Sequence, residues 1–130
     1  LLRLIIENLL DNAIKYTPAR GTITLDLGCA NSRIKTKGSP LICQNLAIAI
    51  SDTGYGIPRR QRHNIFKKLF RAENIKTLDT DGTGLGLYIV KSIVDYCGGT
   101  IRFTSQEKKG TTFRVMLPLT ESVSQTVVTK

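Results

Sequence analysis

Along the first sixteen residues Leu2, Ile5, Ile6, Leu9, Ala13 and Tyr16 recur at helical spacing. That spacing puts them on one stripe of an amphipathic helix. Thr17-Pro18 ends it, because a residue that precedes proline is pushed out of the helical region. Residues 21–28, GTITLDLG, alternate and predict a strand. Residues 29–42 are polar, carry Lys35, Lys37, Gly38 and Pro40, and predict an exposed hairpin loop. Residues 45–51, NLAIAIS, read as a buried strand that delivers Asp52 at its end. Gly54, Gly56 and Pro58 then punctuate a turn, a short helix is expected over 59–69, and the polar, aperiodic stretch 71–83 reads as a loop. Leu85, Leu87, Ile89, Val90, Ile93, Val94 and Cys97 mark a second long helix, stopped by Gly98-Gly99. Residues 100–105 and 111–117 make a closing hairpin around Lys108, Lys109 and Gly110, and the pattern is lost after Thr120. This order predicts an α+β domain, an α/β sandwich with helices on one face of a mixed, mainly antiparallel sheet. The expected domain is 1–118, with 119–130 as a tail.

Composition narrows the class. A chain of 130 residues with 41% hydrophobic and 22% charged residues suits a single globular domain. No apolar run approaches the roughly 18 residues of a membrane span, so no membrane contact is expected of it. The first residue is Leu1 rather than Met, and the chain reads as a piece of a longer protein. The net charge of +9 suits a phosphate-bearing ligand, nucleic acid or an acidic partner, and does not choose among them. Cys29, Cys43 and Cys97 are odd in number and far apart, with no CxxC and a single histidine, His63. They read as free thiols in a reducing cytosol rather than a metal site.

Three constellations carry chemistry. Asn8, Asn12 and Lys15 stand at i, i+4 and i+7, beside the apolar stripe. An amide oxygen is a hard ligand for Mg²⁺ and an ammonium suits phosphate, although a solvated polar face has the same pattern. Asp52-Thr53-Gly54-Tyr55-Gly56-Ile57-Pro58 puts a carboxylate at a strand end before two spaced glycines. Such an Asp can accept from the exocyclic amine of adenine, or simply cap a tight turn. Asp81-Gly82-Thr83-Gly84-Leu85-Gly86-Leu87 opens the second helix with exposed amides that favour an anion. This run is GxGxG, not the dinucleotide fingerprint, and there is no Walker GK[ST].

Together, in this order, the three segments resemble the catalytic and ATP-binding domain of sensor histidine kinases, in the wider family shared with Hsp90, DNA gyrase B and MutL. NLLDNAIKYTP at 8–18 resembles the N box, DTGYGIP at 52–58 the G1 box, IFKKLFRAE at 65–73 the F box and DGTGLGL at 81–87 the G2 box. The resemblance covers about residues 1–118 and implies a Bergerat fold with ATP and Mg²⁺ as cofactors. It makes Asn12 the Mg²⁺ ligand, with Asn8 and Lys15 near the phosphates. Tyr16 flanks the adenine and Asp52 takes its amine. Gly54 and Gly56 let backbone and a bridging water approach the base, and Ile57 belongs to the same nucleotide site. Gly82, Gly84 and Gly86 hinge a lid over about 71–83, with Thr83 near phosphate and Leu85 and Leu87 lining the pocket. Phe66 and Phe70 match the F-box aromatics, Phe66 reading as core and Phe70 as the start of the lid; Arg71, next in the chain, reads either as a reach to the γ-phosphate or as a solvated lid arginine.

The implied reaction is phosphoryl transfer to a histidine on a separate dimerisation domain of the same parent protein, with a response regulator downstream. His63-Asn64 lacks the acceptor context, so His63 reads as a surface residue. In ATP-hydrolysing relatives the residue four before the Mg²⁺ asparagine is a glutamate that activates water. Here it is Asn8, and Glu7 lies about 100° round the helix. Kinase is therefore expected over an ATPase switch module or a nucleotide-binding pseudokinase. Nucleic-acid binding has only charge in its favour, and a cytoplasmic domain without nucleic-acid partners is expected. The loop 29–42 reads as an insertion, and Asp81 stands where many relatives carry a small residue.

Overall fold

A computed structural model describes residues 1–30, 43–76 and 82–119. Helix α1 spans Leu2–Tyr16, strand β1 Ile23–Ala30, strand β2 Asn45–Asp52, helix α2 Glu73–Lys76 and helix α3 Gly86–Tyr96. Strands β3, Thr100–Gln106, and β4, Gly110–Pro118, close the domain. A 3₁₀ turn covers Arg59–Asn64, in place of the longer helix expected to 69. Leu69, at φ +62°, cannot continue a right-handed helix.

The four strands form one sheet in the order β1-β2-β4-β3, and every described pairing is antiparallel. The register puts Ile48 opposite Val115 and Ile50 opposite Phe113, so these side chains share one face. Helices α1 and α3 cover that face and bury Ile5, Leu9 and Ala13 from one and Val90, Ile93 and Val94 from the other. Each fully buried Ile, Leu or Val contributes about 1.5–3 kcal/mol, which fixes the rotation of both helices about their axes. Gly98, at φ +69°, lets α3 stop, and its N–H donates to the Asp95 carbonyl.

The cysteine expectation needs correcting. Cys29 and Cys43 form a disulfide with Cα atoms 5.5 Å apart, and only Cys97 is a free thiol. Distance along the chain misled, because the antiparallel pairing of Ala30 with Asn45 folds positions 29 and 43 back together. The loop between them and most of the tail lie outside the described residues. Leu119 is still tied to the sheet through its N–H donated to the Gln44 carbonyl at 2.8 Å.

Candidate functional site

A cavity of about 280 Å³ opens between α1, the end of β2, the segment from Phe70 to Ala72 and the start of α3. With Ile5, Leu9 and Ala13 locked into the core, helical geometry turns the adjacent stripe toward this space. Asn8, Asn12, Lys15 and Tyr16 all line it. The Asn8 amide is oriented by Nδ2 donating to the Leu4 carbonyl at 2.8 Å. Its Oδ1 faces α3: a Cβ built on Gly86 would lie 3.1 Å from Asn8 Oδ1 and 3.9 Å from Asn12 Oδ1. Two hard oxygen donors thus border one gap that stays open because residue 86 has no side chain. That donor chemistry fits Mg²⁺. Glu7 is turned away, exposed and paired with Arg3 at 2.6 Å.

At the other end of the cavity stands Asp52. Alternation along β2 turns Ile48, Ile50 and then Asp52 to the helix side. Asp52 Oδ1 accepts the Gly54 N–H at 2.8 Å and the Thr111 N–H at 3.2 Å. Burial pushes the Asp52 carboxyl above its ordinary range, and these two N–H donors partly oppose the shift. Gly54 departs from expectation: it does not line the cavity. A Cβ there would lie 2.1 Å from the Tyr16 carbonyl, which also accepts the Tyr55 N–H at 3.0 Å. Gly54 therefore lets the turn seat against the end of α1 rather than approach a ligand. Gly56 and Ile57 do line the cavity, and Gly56 adopts φ +68° against the Gln106 carbonyl.

Phe70 and Arg71 form a third wall, with Arg71 Nε and Nη2 buried from solvent. Phe66 instead stacks edge-on against Phe103 and Phe113, at centroid distances of 5.8 and 6.4 Å, as a core residue does. Gly82, Thr83, Gly84, Leu85, Gly86 and Leu87 complete the lining. The Leu69 N–H donates to the Gly84 carbonyl at 3.0 Å, which ties the third wall to the glycine-rich segment. Residues 77–81, with Asp81 and the middle of the expected lid, lie outside the described residues. His63 is exposed.

Six further residues line the cavity: Asp11, Ile65, Ala72, Ile89, Thr111 and Phe113. Asp11 had a signal, because it sits at i+3 from Asn8 on the same side of α1. Thr111 and Phe113 had none without the strand register, which places Thr111 opposite Asp52.

The family model described as histidine kinase-, DNA gyrase B- and HSP90-like ATPase matches residues 1–121. The chain belongs to that family. It is 39% identical over 119 residues to the adaptive-response sensory kinase SasA of Synechocystis sp., covering 92% of this chain and 28% of that protein. To the sensor histidine kinase WalK of Bacillus subtilis it is 33% identical over 117 residues, covering 90% of this chain and 18% of that protein. The chain thus spans less than a third of the length of these relatives. Among solved structures it is similar to the mycobacterial sensor histidine kinase MprB, with TM-score 0.71, 30% identity and coverage of 88% and 70%. It is also similar to full-length ShkA in complex with AMPPNP, with TM-score 0.67, 27% identity and coverage of 90% and 21%. The fold and family are those of histidine kinase catalytic domains, which bind ATP. Among the described residues no helix is long and apolar enough to cross a membrane.

Proposed function

We propose that this domain holds Mg-ATP and presents its γ-phosphate to a histidine on a separate helical domain of the parent protein, in the cytoplasm. The phosphoryl group then passes to a response regulator. The observation that carries this reading is the polarity of the cavity. A half-buried carboxylate, Asp52, closes one end, while the Asn8 and Asn12 oxygens border Gly86 in the first turn of α3 at the other, with Lys15 also in the lining. The carboxylate end suits the adenine amine. Both described donors to Asp52 go to Oδ1, which leaves Oδ2 for the ligand. The Asn8 and Asn12 oxygens, Lys15 and the α3 amides suit a metal-bound triphosphate, with Arg71 positioned in the wall for the terminal phosphate. Mg²⁺ held by Asn12 and Asn8 would neutralise phosphate charge.

Transfer of this kind is mostly positioning and charge neutralisation. The acceptor imidazole is its own nucleophile, so no strong base is needed on α1, and Asn8 is a poor one. The test incubates the 130-residue chain with Mg-ATP and the acceptor domain of its parent protein, and measures phosphohistidine against released phosphate. Phosphohistidine is expected to form. Asn12→Ala is expected to cut it by at least tenfold with a nearly unchanged melting temperature, since Asn12 lies on the polar stripe. Rapid phosphate release without phosphohistidine refutes the kinase reading, and an unfolded Asn12→Ala makes the asparagine structural.

A further inference from the structure

The end row of the sheet is polar where the two rows beyond it are apolar. Asp52 pairs with Thr111, and Thr111 pairs with Ser105, so the three side chains share the helix-side face in one line across three strands. Thr111 lines the cavity and is only 7% exposed. Behind it, Ser105 Oγ accepts the Ile57 N–H at 2.8 Å. The same Oγ lies 3.1 Å from the Gly110 carbonyl oxygen and 2.9 Å from Thr111 Oγ1.

Counting protons settles the direction of these bonds. The two oxygen–oxygen contacts of Ser105 have two hydroxyl protons to share, one from Ser105 and one from Thr111. A carbonyl can only accept, so Ser105 must donate to Gly110, and Thr111 must then donate to Ser105. The reverse assignment leaves the Gly110 contact without a proton and sets two lone pairs against each other. With its proton held at the back, Thr111 turns only lone pairs toward the cavity.

We infer that Ser105 is a specificity-determining positioning residue: it locks the Thr111 hydroxyl as an acceptor, so that Asp52 and Thr111 together make the base end of the cavity acceptor-only. Such an end accepts both N–H groups of a 6-amine, whereas a 6-oxopurine offers it one N1–H and sets its carbonyl against an acceptor, which leaves buried groups unpaired. The inference rests on the nucleotide reading of the cavity. It goes beyond it in placing part of the base selectivity on a residue outside the cavity lining.

The test uses ATP and ITP, which exchange a 6-amine and an N1 lone pair for a 6-carbonyl and an N1–H, as calorimetric titrants of the 130-residue chain. Wild type is expected to prefer ATP. In Ser105→Ala the Thr111 proton is released and can turn to a 6-carbonyl, so the ATP-to-ITP affinity ratio should fall by about tenfold. Ser105→Thr keeps a hydroxyl and should restore the wild-type ratio. In a Thr111→Val background the Ser105→Ala change should no longer alter the ratio, a readout that a general loosening of the turn at Ile57 would not give. If Ser105→Ala fails to fold, Ser105→Cys keeps the size with a weaker donor and should lower the ratio in the same direction. A selective wild type with an unchanged ratio in the folded variant overturns the lock alone. So does an equal drop in the Thr111→Val background. A wild type that does not bind ATP, or binds ATP and ITP alike, overturns the nucleotide reading and the lock with it.

Discussion

Replacing Asp52 with Asn separates the ligand role of this residue from its role in the fold, because the two effects have opposite signs. In the folded chain, burial holds the Asp52 carboxyl above its ordinary value of 3.8. An acid whose folded pKa is raised favours the fold fully below its ordinary pKa, and that contribution is lost as pH rises through the raised value. At neutral pH the ionised form therefore weighs against the unliganded fold. An Asn at this position keeps an oxygen for the Gly54 and Thr111 N–H groups and removes the half-buried charge. Asp52→Asn should thus melt at the same temperature as wild type or slightly higher. The gap should widen as pH rises out of the acid range and then level off. ATP binding should move the other way. Losing a charge-assisted hydrogen bond to the base amine costs about 1.5–3 kcal/mol, or about ten- to a hundredfold in affinity. Calorimetric titration with Mg-ATP and thermal melts at pH 5 and pH 8 measure both. A variant that melts several degrees lower and binds ATP as well as wild type would refute the reasoning and reduce Asp52 to a turn cap.

Two further outcomes are expected. Gly84→Ala should weaken nucleotide binding and lower the unliganded melting temperature, because position 84 has φ +68° and a Cβ there meets the Leu69 carbonyl carbon at 2.8 Å; an unchanged melt with and without Mg-ATP would contradict this. Reducing the Cys29–Cys43 bond, which closes a separation of 14 residues, should cost about 3 kcal/mol by loop entropy; a scan with and without dithiothreitol should differ by about 10 °C, and identical scans would mean that the two thiols do not pair in solution.

Most of what is written in a local period was legible in the sequence, although the alternation of β1 leaves Leu25 and Leu27 exposed. The α1 stripe, the alternation of β2 and the apolar face of α3 each repeat within one element, and their burial follows that repeat. The stripe of Asn8, Asn12 and Lys15 was legible for the same reason: once the apolar stripe is locked, its neighbour has one direction left to face. The glycines were legible as positions but not as reasons. Gly84 reads as a lid hinge, yet the space of its missing side chain is filled by the backbone of Leu69. Gly54 reads as a ligand contact and instead touches the end of α1. A glycine announces that something comes close, and only the tertiary fold says what.

The base end of the cavity was the least legible part because it is built across strands rather than along one. Asp52, Thr111 and Ser105 are 59 and 6 residues apart in the chain, and register alone puts them in a row. Ser and Thr are unremarkable in a strand, and nothing in the spacing of SQEKKGTT marks two hydroxyls and a carbonyl that must share two protons. The recognisable residue, Asp52, supplies charge, but charge alone does not dictate which way a neighbouring hydroxyl points. That direction is fixed only when the hairpin at Gly110 brings its carbonyl to 3.1 Å from Ser105. The motif therefore identifies the class of ligand, while the pairing of β3 with β4 sets the donor–acceptor pattern against which the ligand is read.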